Sequence, residues 1–295
     1  MTTLRLGLST CPNDTFLFAP LLQGRVDTRG LDLEFTLADV QELNEALVAG
    51  FLDVSKASFA TALDVTETWG VLPVGSALGF GVGPVLLGRP GWPAGRQGVA
   101  ALVEAMAGDT PGSTLSSAAA AVLVPGAGTT AALLLCALHA SLTNVRPLRF
   151  DKIMPALEAG EADAGVCIHE GRFTYADAGL VLIDDLGASW ERETGSPVPL
   201  GGLLARHDLG ADVHERLAAV LGDSLAAARR DPDATLPTMR AHAQELSDEV
   251  IWKHVDLYVN DLTADLGDTG RRALGELSAR TGRGRAPTIL GSVPG

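Results

Sequence analysis

Cysteine is scarce in this 295-residue sequence, and the scarcity excludes two classes of protein. The three cysteines are Cys11, Cys136 and Cys167, which are widely spaced and form no C-x-x-C pair. A framework of disulfide bonds is therefore excluded, since one cysteine of three is always left over. No histidine or cysteine cluster has the spacing of a metal site, so we expect no metal and take the cysteines for small buried hydrophobic residues.

Basic residues are also in the minority, with 22 Lys and Arg against 36 Asp and Glu and a net charge of −14. Nucleic acids and anionic membranes both require a basic protein face, so neither is an expected partner. A small anionic ligand remains possible, because its site depends on local hydrogen-bond donors and not on the net charge.

The sequence has no uninterrupted apolar segment long enough to cross a membrane, although one uncharged stretch requires a closer look. Residues 111–145 contain no acidic or basic residue apart from His139, but the turn sequence at 125–130 divides them into pieces too short to cross a bilayer. The first residues lack a basic start followed by an apolar segment, so we expect no signal peptide and a cytoplasmic protein.

Aromatic residues make up only 5% of the chain, but hydrophobic residues reach 46%. The core is therefore expected to consist mostly of leucine, valine and alanine. A chain of this length forms one large domain or two ordinary ones.

The stretch 157–175 (LEAGEADAGVCIHEGRFTY) carries the most chemical information. Gly160 is expected to end a helix, and the small apolar residues 164–168 predict a buried parallel strand. His169 then follows the carboxyl end of that strand, the edge where open α/β sheets bind ligands. A histidine there is a candidate proton carrier. The alternative is a histidine that merely hydrogen-bonds at a strand end.

A similar strand–turn–helix arrangement is predicted at the start of the chain. Leu4, Leu6 and Leu8 alternate with other residues and indicate a strand, which is followed by a polar turn at 9–16 and a helix up to Leu22. Ser9 and Asn13 lie in that turn and are candidate substrate-binding residues. Asn13 and Asp14 are expected to cap the helix, whose free N–H groups also favour an anion.

The pattern L-x-A-G-x-x-D occurs at 47–53 and again at 157–163, each time before a short predicted strand. We interpret it as one helix–glycine–strand unit used once in each lobe. Lys56 and Ser58 would then correspond to His169. A lysine in an apolar strand must find an anion or reach water, and the alternative is a solvated lysine at a sheet edge.

Glycines followed by two hydroxyls occur at 126–130, before a helix predicted over 131–140. Backbone N–H groups with Thr129 and Thr130 would form a cradle for an oxyanion. No lysine follows the glycines, so a carboxylate is favoured over a triphosphate. Ordinary capping would account for one of the two threonines.

The connections predict a discontinuous two-lobed α/β protein. The larger lobe is expected over 1–88 plus 187–295 and the smaller over 89–186, with a turn-rich return at 190–199 and a strand at 200–205. Residues 109–121 have low complexity and resemble a surface insertion. The remainder is expected to be helical, with His254 and Tyr258 packed on one helix face.

Six motifs carry a resemblance to a known family. They are S-x-C-P-N-D-T-F at 9–16, S-K-x-S at 55–58, G-x-G-V-G-P at 79–84, G-x-x-T-T at 126–130, I-H-E-x-R-F-T-Y at 168–175 and A-H-A-Q-E-L-S at 241–247. In this order and over nearly the whole chain, they resemble the menaquinone-biosynthesis family of 1,4-dihydroxy-6-naphthoate synthases and chorismate dehydratases, and the synthases more closely.

The resemblance implies the two-lobed fold of periplasmic (type II) solute-binding proteins, with the active site in the cleft between the lobes. It implies cleavage of cyclic dehypoxanthinyl futalosine to 1,4-dihydroxy-6-naphthoate without a redox cofactor. His169 would be the general base. Substrate-binding residues would be Lys56, Ala57 and Ser58 in one segment and Thr129 and Thr130 in the other.

One motif departs from the family pattern, since Gly171 stands where the resemblance leads us to expect serine. Two rival functions also remain. A chorismate dehydratase would act on a different acid, although the motif at 9–16 disfavours it. A solute-binding protein would have the same fold but should carry a signal peptide or a lipidation cysteine.

Overall fold

The computed structural model describes residues 3–107, 121–169, 171–243 and 247–291. The predicted insertion, apart from Ala121, lies outside these ranges, as do Glu170 and residues 244–246 of the sequence motifs.

Both strands and helices are present, as the α/β prediction requires. The strands in the described residues are β1 Thr3–Ser9, β2 Asp32–Ala38, β3 Val54–Ser58, β4 Trp69–Val71, β5 Ala77–Gly79, β6 Val85–Gly88, β7 Val122–Val124, β8 Val145–Pro147, β9 Ala164–Cys167, β10 Val181–Asp185 and β11 Val198–Arg206. The α-helices there are α1 Pro12–Leu22, α2 Val40–Val48, α3 Phe59–Asp64, α4 Gly95–Ala107, α5 Thr130–Leu138, α6 Phe150–Glu158, α7 Gly171–Thr174, α8 Leu186–Thr194, α9 Ala211–Arg230, α10 Leu236–His242, α11 Asp248–Tyr258, α12 Asp261–Ala264 and α13 Gly267–Thr281.

The chain forms two compact units, each with its own sheet. The first unit comprises Met1–Gly79 and Pro199–Gly295, and the second comprises Phe80–Val198. Compared with the lobes expected from the sequence, residues 80–88 and 187–198 belong to the second unit and not to the first. The pairing of β6 explains part of this difference, since β6 lies between β9 and β10 in the second sheet.

The first sheet has the strand order β2-β1-β3-β11-β4, with β5 paired to β11. β1 runs parallel to both β2 and β3, whereas β11 runs antiparallel to β3 and β4. The predicted strand at 200–205 is therefore confirmed as part of β11 in this sheet. Its core includes Leu6 and Leu8 of β1, Phe18 of α1, and Leu221 and Leu225 of α9, all almost fully buried.

The second sheet has the order β10-β6-β9-β7-β8, in which β9, β7 and β8 run parallel. Alternate residues of β7 face opposite sides, because Val122 and Val124 belong to one hydrophobic cluster and Leu123 to another. Helices cover both faces: Leu102 and Leu135 pack on the first cluster, and α6 packs on the second. A parallel sheet covered on both sides accounts for the apolar, uncharged sequence of β9.

The repeated pattern L-x-A-G-x-x-D has the same local structure in both units. Gly50 and Gly160 follow their helices with φ of 76° and 71°, a left-handed conformation that glycine adopts readily. Each pattern then leads directly into a strand, β3 or β9. The interpretation of one helix–glycine–strand unit used twice is confirmed at the level of local structure.

Two local predictions are wrong. The residue that caps α1 is Cys11, and Asn13 and Asp14 lie inside the first turn. The first half of the expected turn-rich return at 190–199 belongs to the helix α8, whose N-cap is Asp185 and which is followed by Gly195 in the left-handed conformation. Asp185 is also the last residue of the strand β10, which conceals the start of this helix in the sequence.

None of the three cysteines forms a disulfide bond, and their burial is only partly as expected. Cys167 is buried, Cys11 is half-buried and Cys136 is exposed, which contradicts the prediction for Cys136. Within the ranges that the structure covers, no group of His, Cys, Asp or Glu side chains is arranged to hold a metal ion. In the same ranges, no helix has the length and apolar character needed to span a bilayer.

Candidate functional site

Five of the eight residues selected from the sequence lie in the first unit, at or near one sheet edge. β1 ends at Ser9 and its parallel neighbour β3 ends at Ser58, so both serines lie at the carboxyl edge. Asn13 follows in the first turn of α1, while Lys56 and Ala57 precede Ser58 within β3. This is the edge at which open α/β sheets bind ligands.

Lys56 is buried in a central strand and forms an ion pair. Its side chain is 5% exposed, and its Nζ lies 2.5 Å from Asp14 Oδ1 and 3.1 Å from the carbonyl oxygen of Gly75. The alternative of a solvated edge lysine is therefore wrong. The anion that the sequence analysis required is a residue of the protein itself, so the Lys56 charge is compensated internally.

Asn13 joins this pair to the helical part of the first unit. Its Nδ2 donates to Asp14 Oδ1 at 3.1 Å, and its Oδ1 lies 3.0 Å from Nε2 of His254 on α11. Because an amide oxygen only accepts hydrogen bonds, His254 Nε2 carries the proton. We call Asn13, Asp14, Lys56 and His254 the Lys56 cluster. The prediction that His254 and Tyr258 pack on one helix face is confirmed, since their ring centroids lie 4.6 Å apart with the planes inclined at 44°.

Ser58 is held by Asn44 of α2, which the sequence analysis did not single out. The Ser58 N–H donates to Asn44 Oδ1 at 2.9 Å, and Asn44 Nδ2 donates to Ser58 Oγ at 3.2 Å. Both residues are buried. Ser9 is also buried, and its Oγ accepts the N–H of Cys11 at 3.1 Å, which stabilises the turn before α1.

The other three selected residues lie at the carboxyl edge of the second sheet. Thr129 and Thr130 follow β7, and His169 follows β9, which is the parallel neighbour of β7. The structure thus places the proposed carboxylate cradle and the proposed base at one edge of the same sheet, within the second unit.

The hydroxyl of Thr129 is used within the turn. It donates to the carbonyl oxygen of Gly126 at 2.7 Å and accepts the N–H of Ala132 at 3.3 Å, which makes Thr129 the N-cap of α5. Ordinary capping therefore accounts for this threonine. Thr130 is the first residue of the nine-residue helix α5 and is buried.

His169 is half-buried in a turn with an unusual backbone conformation. Its φ is 55°, a left-handed value that residues with a side chain rarely adopt. The ring of Phe150 meets the imidazole edge to face, with centroids 5.1 Å apart. Non-glycine residues in this conformation concentrate at functional sites.

Gly171, which departs from the family pattern, is closely packed. A Cβ at this position would lie 3.1 Å from Cys167 Cβ and 3.3 Å from Met154 Sδ. This packing explains why glycine suits the position beside these two side chains.

A charged cluster lies at the other end of α5. His139 Nε2 lies 2.7 Å from one carboxylate oxygen of Asp184, and Ser189 Oγ donates to the other at 2.6 Å. Burial alone would raise the pKa of Asp184, but these hydrogen bonds outweigh it and hold the pKa below its usual value. Asp184 is therefore ionised, which stabilises the attachment of α5 to β10.

The repeated aspartate was not recognised as an ion-pair residue in the sequence. Asp53 accepts hydrogen bonds from Arg5 and Arg206, and Asp163 accepts one from Arg89 Nε at 2.9 Å. The hydrogen bond from the Arg5 side chain is the main cause that lowers the pKa of Asp53. Both aspartates precede a central strand, so these pairs have a structural function in each unit.

The family of the chain follows from a comparison with known proteins. Residues 4–283 match the model of a family described as menaquinone biosynthesis. The chain belongs to the menaquinone-biosynthesis family.

Two curated relatives cover almost the whole chain. A 1,4-dihydroxy-6-naphthoate synthase from Thermus thermophilus is 43% identical over 95% of this chain and 94% of its own length. A protein of the same name from Streptomyces coelicolor is 40% identical over 97% of this chain and 96% of its own length. This member of the menaquinone-biosynthesis family is therefore an enzyme of menaquinone biosynthesis.

Solved structures show the fold of the family. A protein from Archaeoglobus fulgidus has a TM-score of 0.80 at 28% identity and covers 95% of this chain and 97% of its own. The ligand-binding component of an import system from Staphylococcus aureus has a TM-score of 0.66 at 14% identity, covering 98% and 94%. The predicted periplasmic-binding-protein-like fold is confirmed.

Proposed function

We propose that the chain is a 1,4-dihydroxy-6-naphthoate synthase, a carbon–carbon lyase that converts cyclic dehypoxanthinyl futalosine to 1,4-dihydroxy-6-naphthoate. The observation that carries this proposal is the 40–43% identity to two proteins of that name over nearly the full length. The reaction cleaves a carbon–carbon bond and aromatises the new ring. It requires a group that moves a proton, and it requires no redox cofactor.

In this proposal, His169 is the general base that removes the proton initiating the fragmentation. Its position after β9 and its half-buried imidazole support the role, because a base must be reachable by substrate and partly shielded from water. A neutral imidazole accepts a proton near pH 7 without a large pKa shift.

The aromatic carboxylate of the substrate would bind at the start of α5. Backbone N–H groups at a helix N-terminus and the dipole of the helix both favour an anion. Thr129 holds this turn in place through its contact with Gly126, and Thr130 lies at the first helical position.

The hydroxyl-bearing part of the substrate would bind at the carboxyl edge of the first sheet, near Ser58 and the Lys56 cluster. The ammonium of Lys56 is already compensated by Asp14, so the pair offers hydrogen bonds without net charge. Such a site suits a neutral polyol better than a carboxylate. We therefore propose a single small-molecule substrate that carries a carboxylate, and a reaction that takes place in the cytoplasm.

The decisive experiment is turnover of cyclic dehypoxanthinyl futalosine by the purified protein without added cofactor, followed by chromatography of the product. We expect the wild type to form the naphthoate and His169→Asn to lower kcat by about 10²–10⁴-fold. The matched control is His139→Asn, which removes another half-buried histidine of the second unit and should retain near-normal turnover.

Three other outcomes would contradict the proposal in different ways. Normal turnover by His169→Asn would exclude His169 as the base. Binding without turnover by the wild type would indicate a solute-binding protein. Turnover of chorismate in place of the futalosine derivative would indicate the dehydratase activity.

A further inference from the structure

The left-handed turn at His169 requires an external support. A residue with a side chain seldom keeps a φ of 55° unless the surrounding structure imposes it. Two backbone hydrogen bonds close the turn: Gly171 N donates to the carbonyl oxygen of Ile168 at 3.1 Å, and Arg172 N donates to that of His169 at 3.4 Å. The main chain of Arg172 is therefore bonded directly to His169.

The side chain of Arg172 fixes this turn to the rest of the second unit by four hydrogen bonds. Nη1 and Nη2 donate to the two carboxylate oxygens of Asp185 at 3.0 Å and 2.6 Å. The same nitrogens donate to the carbonyl oxygens of Gly83 at 3.1 Å and Gly81 at 3.3 Å. Paired, parallel hydrogen bonds of this kind define direction as well as distance.

The groups that accept these hydrogen bonds are themselves held firmly. Asp185 is the N-cap of α8 and accepts the N–H of Ala188 at 3.0 Å. A Cβ added at Gly187 would lie 1.9 Å from the carbonyl oxygen of Val82, so the loop at 81–83 is packed directly on the first turn of α8. Arg172 is thus bound to a closely packed part of the second unit, formed by the start of α8 and the loop at 81–83.

We infer that Arg172, oriented by Asp185, is a positioning residue that holds the His169 turn and thereby directs the imidazole toward the substrate. The inference rests on the proposed function for its kinetic consequence, because His169 is the base only in that proposal. The competing explanation is that Arg172 and Asp185 are an ordinary partly buried ion pair that stabilises the second unit.

A matched control separates these explanations. Arg89 forms an ion pair with Asp163, the residue directly before β9, at a distance of 2.9 Å. Arg172 and Arg89 are therefore two arginines of the second unit that each pair with an aspartate, Asp185 at the end of β10 and Asp163 before β9. Arg89→Ala removes an ion pair of the same type without touching the His169 turn.

The kinetic test compares Arg172→Ala and Arg172→Lys with Arg89→Ala in the futalosine assay. Misplacing a reacting group by about 1 Å lowers the rate by about 10²-fold, so we expect a loss of this size in kcat for Arg172→Ala. KM should remain within about threefold, because substrate contacts are unchanged. Arg172→Lys keeps the charge without the paired geometry and should also lose kcat, whereas Arg89→Ala should keep it.

Asp185→Asn is a second variant that removes the same ion pair, and it tests the inference if Arg172→Ala does not fold. Asparagine is as good an N-cap as aspartate, so α8 keeps its start while the charged pair is lost. We expect a melting temperature near that of the wild type together with reduced kcat. Added guanidinium ion should restore part of the activity of Arg172→Ala, and methylammonium should not.

A spectroscopic readout does not depend on the proposed activity. The ring resonances of His169, assigned by their loss in His169→Asn, should shift or broaden in Arg172→Ala and stay unchanged in Arg89→Ala. Unchanged His169 resonances in Arg172→Ala would overturn the inference, as would a kcat no lower than that of Arg89→Ala. Absence of turnover in the wild type would overturn the proposed function, and the resonances would still decide whether Arg172 positions His169.

Discussion

Lys56 illustrates how a buried charge is accommodated at the scale of a single residue. A lone ammonium in the interior would be very unfavourable, and this one is paired with Asp14 and bonded to a backbone carbonyl. Removing either partner leaves the other charge uncompensated, whereas removing both leaves none.

Asp14→Asn and Lys56→Gln should each lower the free energy of unfolding by about 3–5 kcal/mol, because each leaves one buried charge. The double variant should lose less than the sum of the two, with a coupling energy of about 1–3 kcal/mol. Urea unfolding at neutral pH gives the free energy of unfolding of the wild type, the two single variants and the double variant. Strict additivity would show that water already solvates the pair.

Asp53 gives a prediction for the pH dependence of stability. Hydrogen bonds from Arg5 lower its pKa in the folded protein, so it stabilises the fold at pH values above the unfolded pKa of about 3.9. This contribution is lost as the pH falls through the depressed folded pKa.

Asp53→Asn should therefore lower the free energy of unfolding by about 1–2 kcal/mol at pH 7, because charged hydrogen bonds to two arginines are lost. The effect is no larger because both arginine side chains are more than a third exposed to solvent. The difference from the wild type should be constant from about pH 5 to 8 and shrink toward pH 2. Urea titrations at several pH values measure it. A difference that grows on acidification would contradict the assignment.

At the scale of the element, the turn before α5 combines helix capping with the proposed carboxylate site. The hydroxyl of Thr129 both caps the helix and bonds to Gly126. The same contacts that start the helix therefore also fix the backbone N–H groups that would meet the anion.

Thr129→Val should lower stability by about 0.5–2 kcal/mol through loss of the cap, and it should raise KM in the futalosine assay. Thr129→Ser keeps the hydroxyl, so its stability and its KM should both be close to those of the wild type. Ser247→Ala is the matched control, since Ser247 caps α11 in the first unit and accepts the N–H of Val250. If Ser247→Ala raised KM as much as Thr129→Val, the effect would not be specific to the turn at α5.

The sequence predicts elements well where the determinants are local. The capping box of α2, the strand after each repeated aspartate and the helix after Thr129 all follow from neighbouring residues. The position of His169 at a strand end was predictable for the same reason. By contrast, α8 was missed because its capping residue also fits the end of the preceding strand.

Contacts between distant residues could not be predicted in this way. Asn13 and His254 are 241 positions apart, and Lys56 and Asp14 are 42 apart. Their types and spacings carry no information about these pairings, which arise only when the strands and helices pack. The roles of Asn44 and Arg172 were missed for the same reason.

At the scale of the whole molecule, the second unit is one continuous segment with its own sheet and hydrophobic clusters. The first unit is assembled from two segments separated by the second. Continuity and a separate core are the properties expected of a domain that folds independently.

Residues 80–198 expressed alone should therefore fold, with the helical and strand content that the intact chain has in this region. Circular dichroism and cooperative urea unfolding of the fragment are the measurements. Residues 1–79 expressed alone serve as the control and should remain unfolded, because their sheet lacks β11. Cooperative unfolding of the control fragment would contradict the role assigned to β11.

The place of β11 in the first sheet also affects how the protein is made. β11 pairs with β3 on one side and with β4 on the other, yet the ribosome synthesises it only after the entire second unit. β3 ends at Ser58 and β11 begins at Val198, so at a synthesis rate of about 5–20 residues per second the edge of β3 stays unpaired for roughly 7 to 28 seconds. During this interval the nascent chain carries an open strand edge, and chaperones that bind such edges have their opportunity to act before β11 closes the sheet.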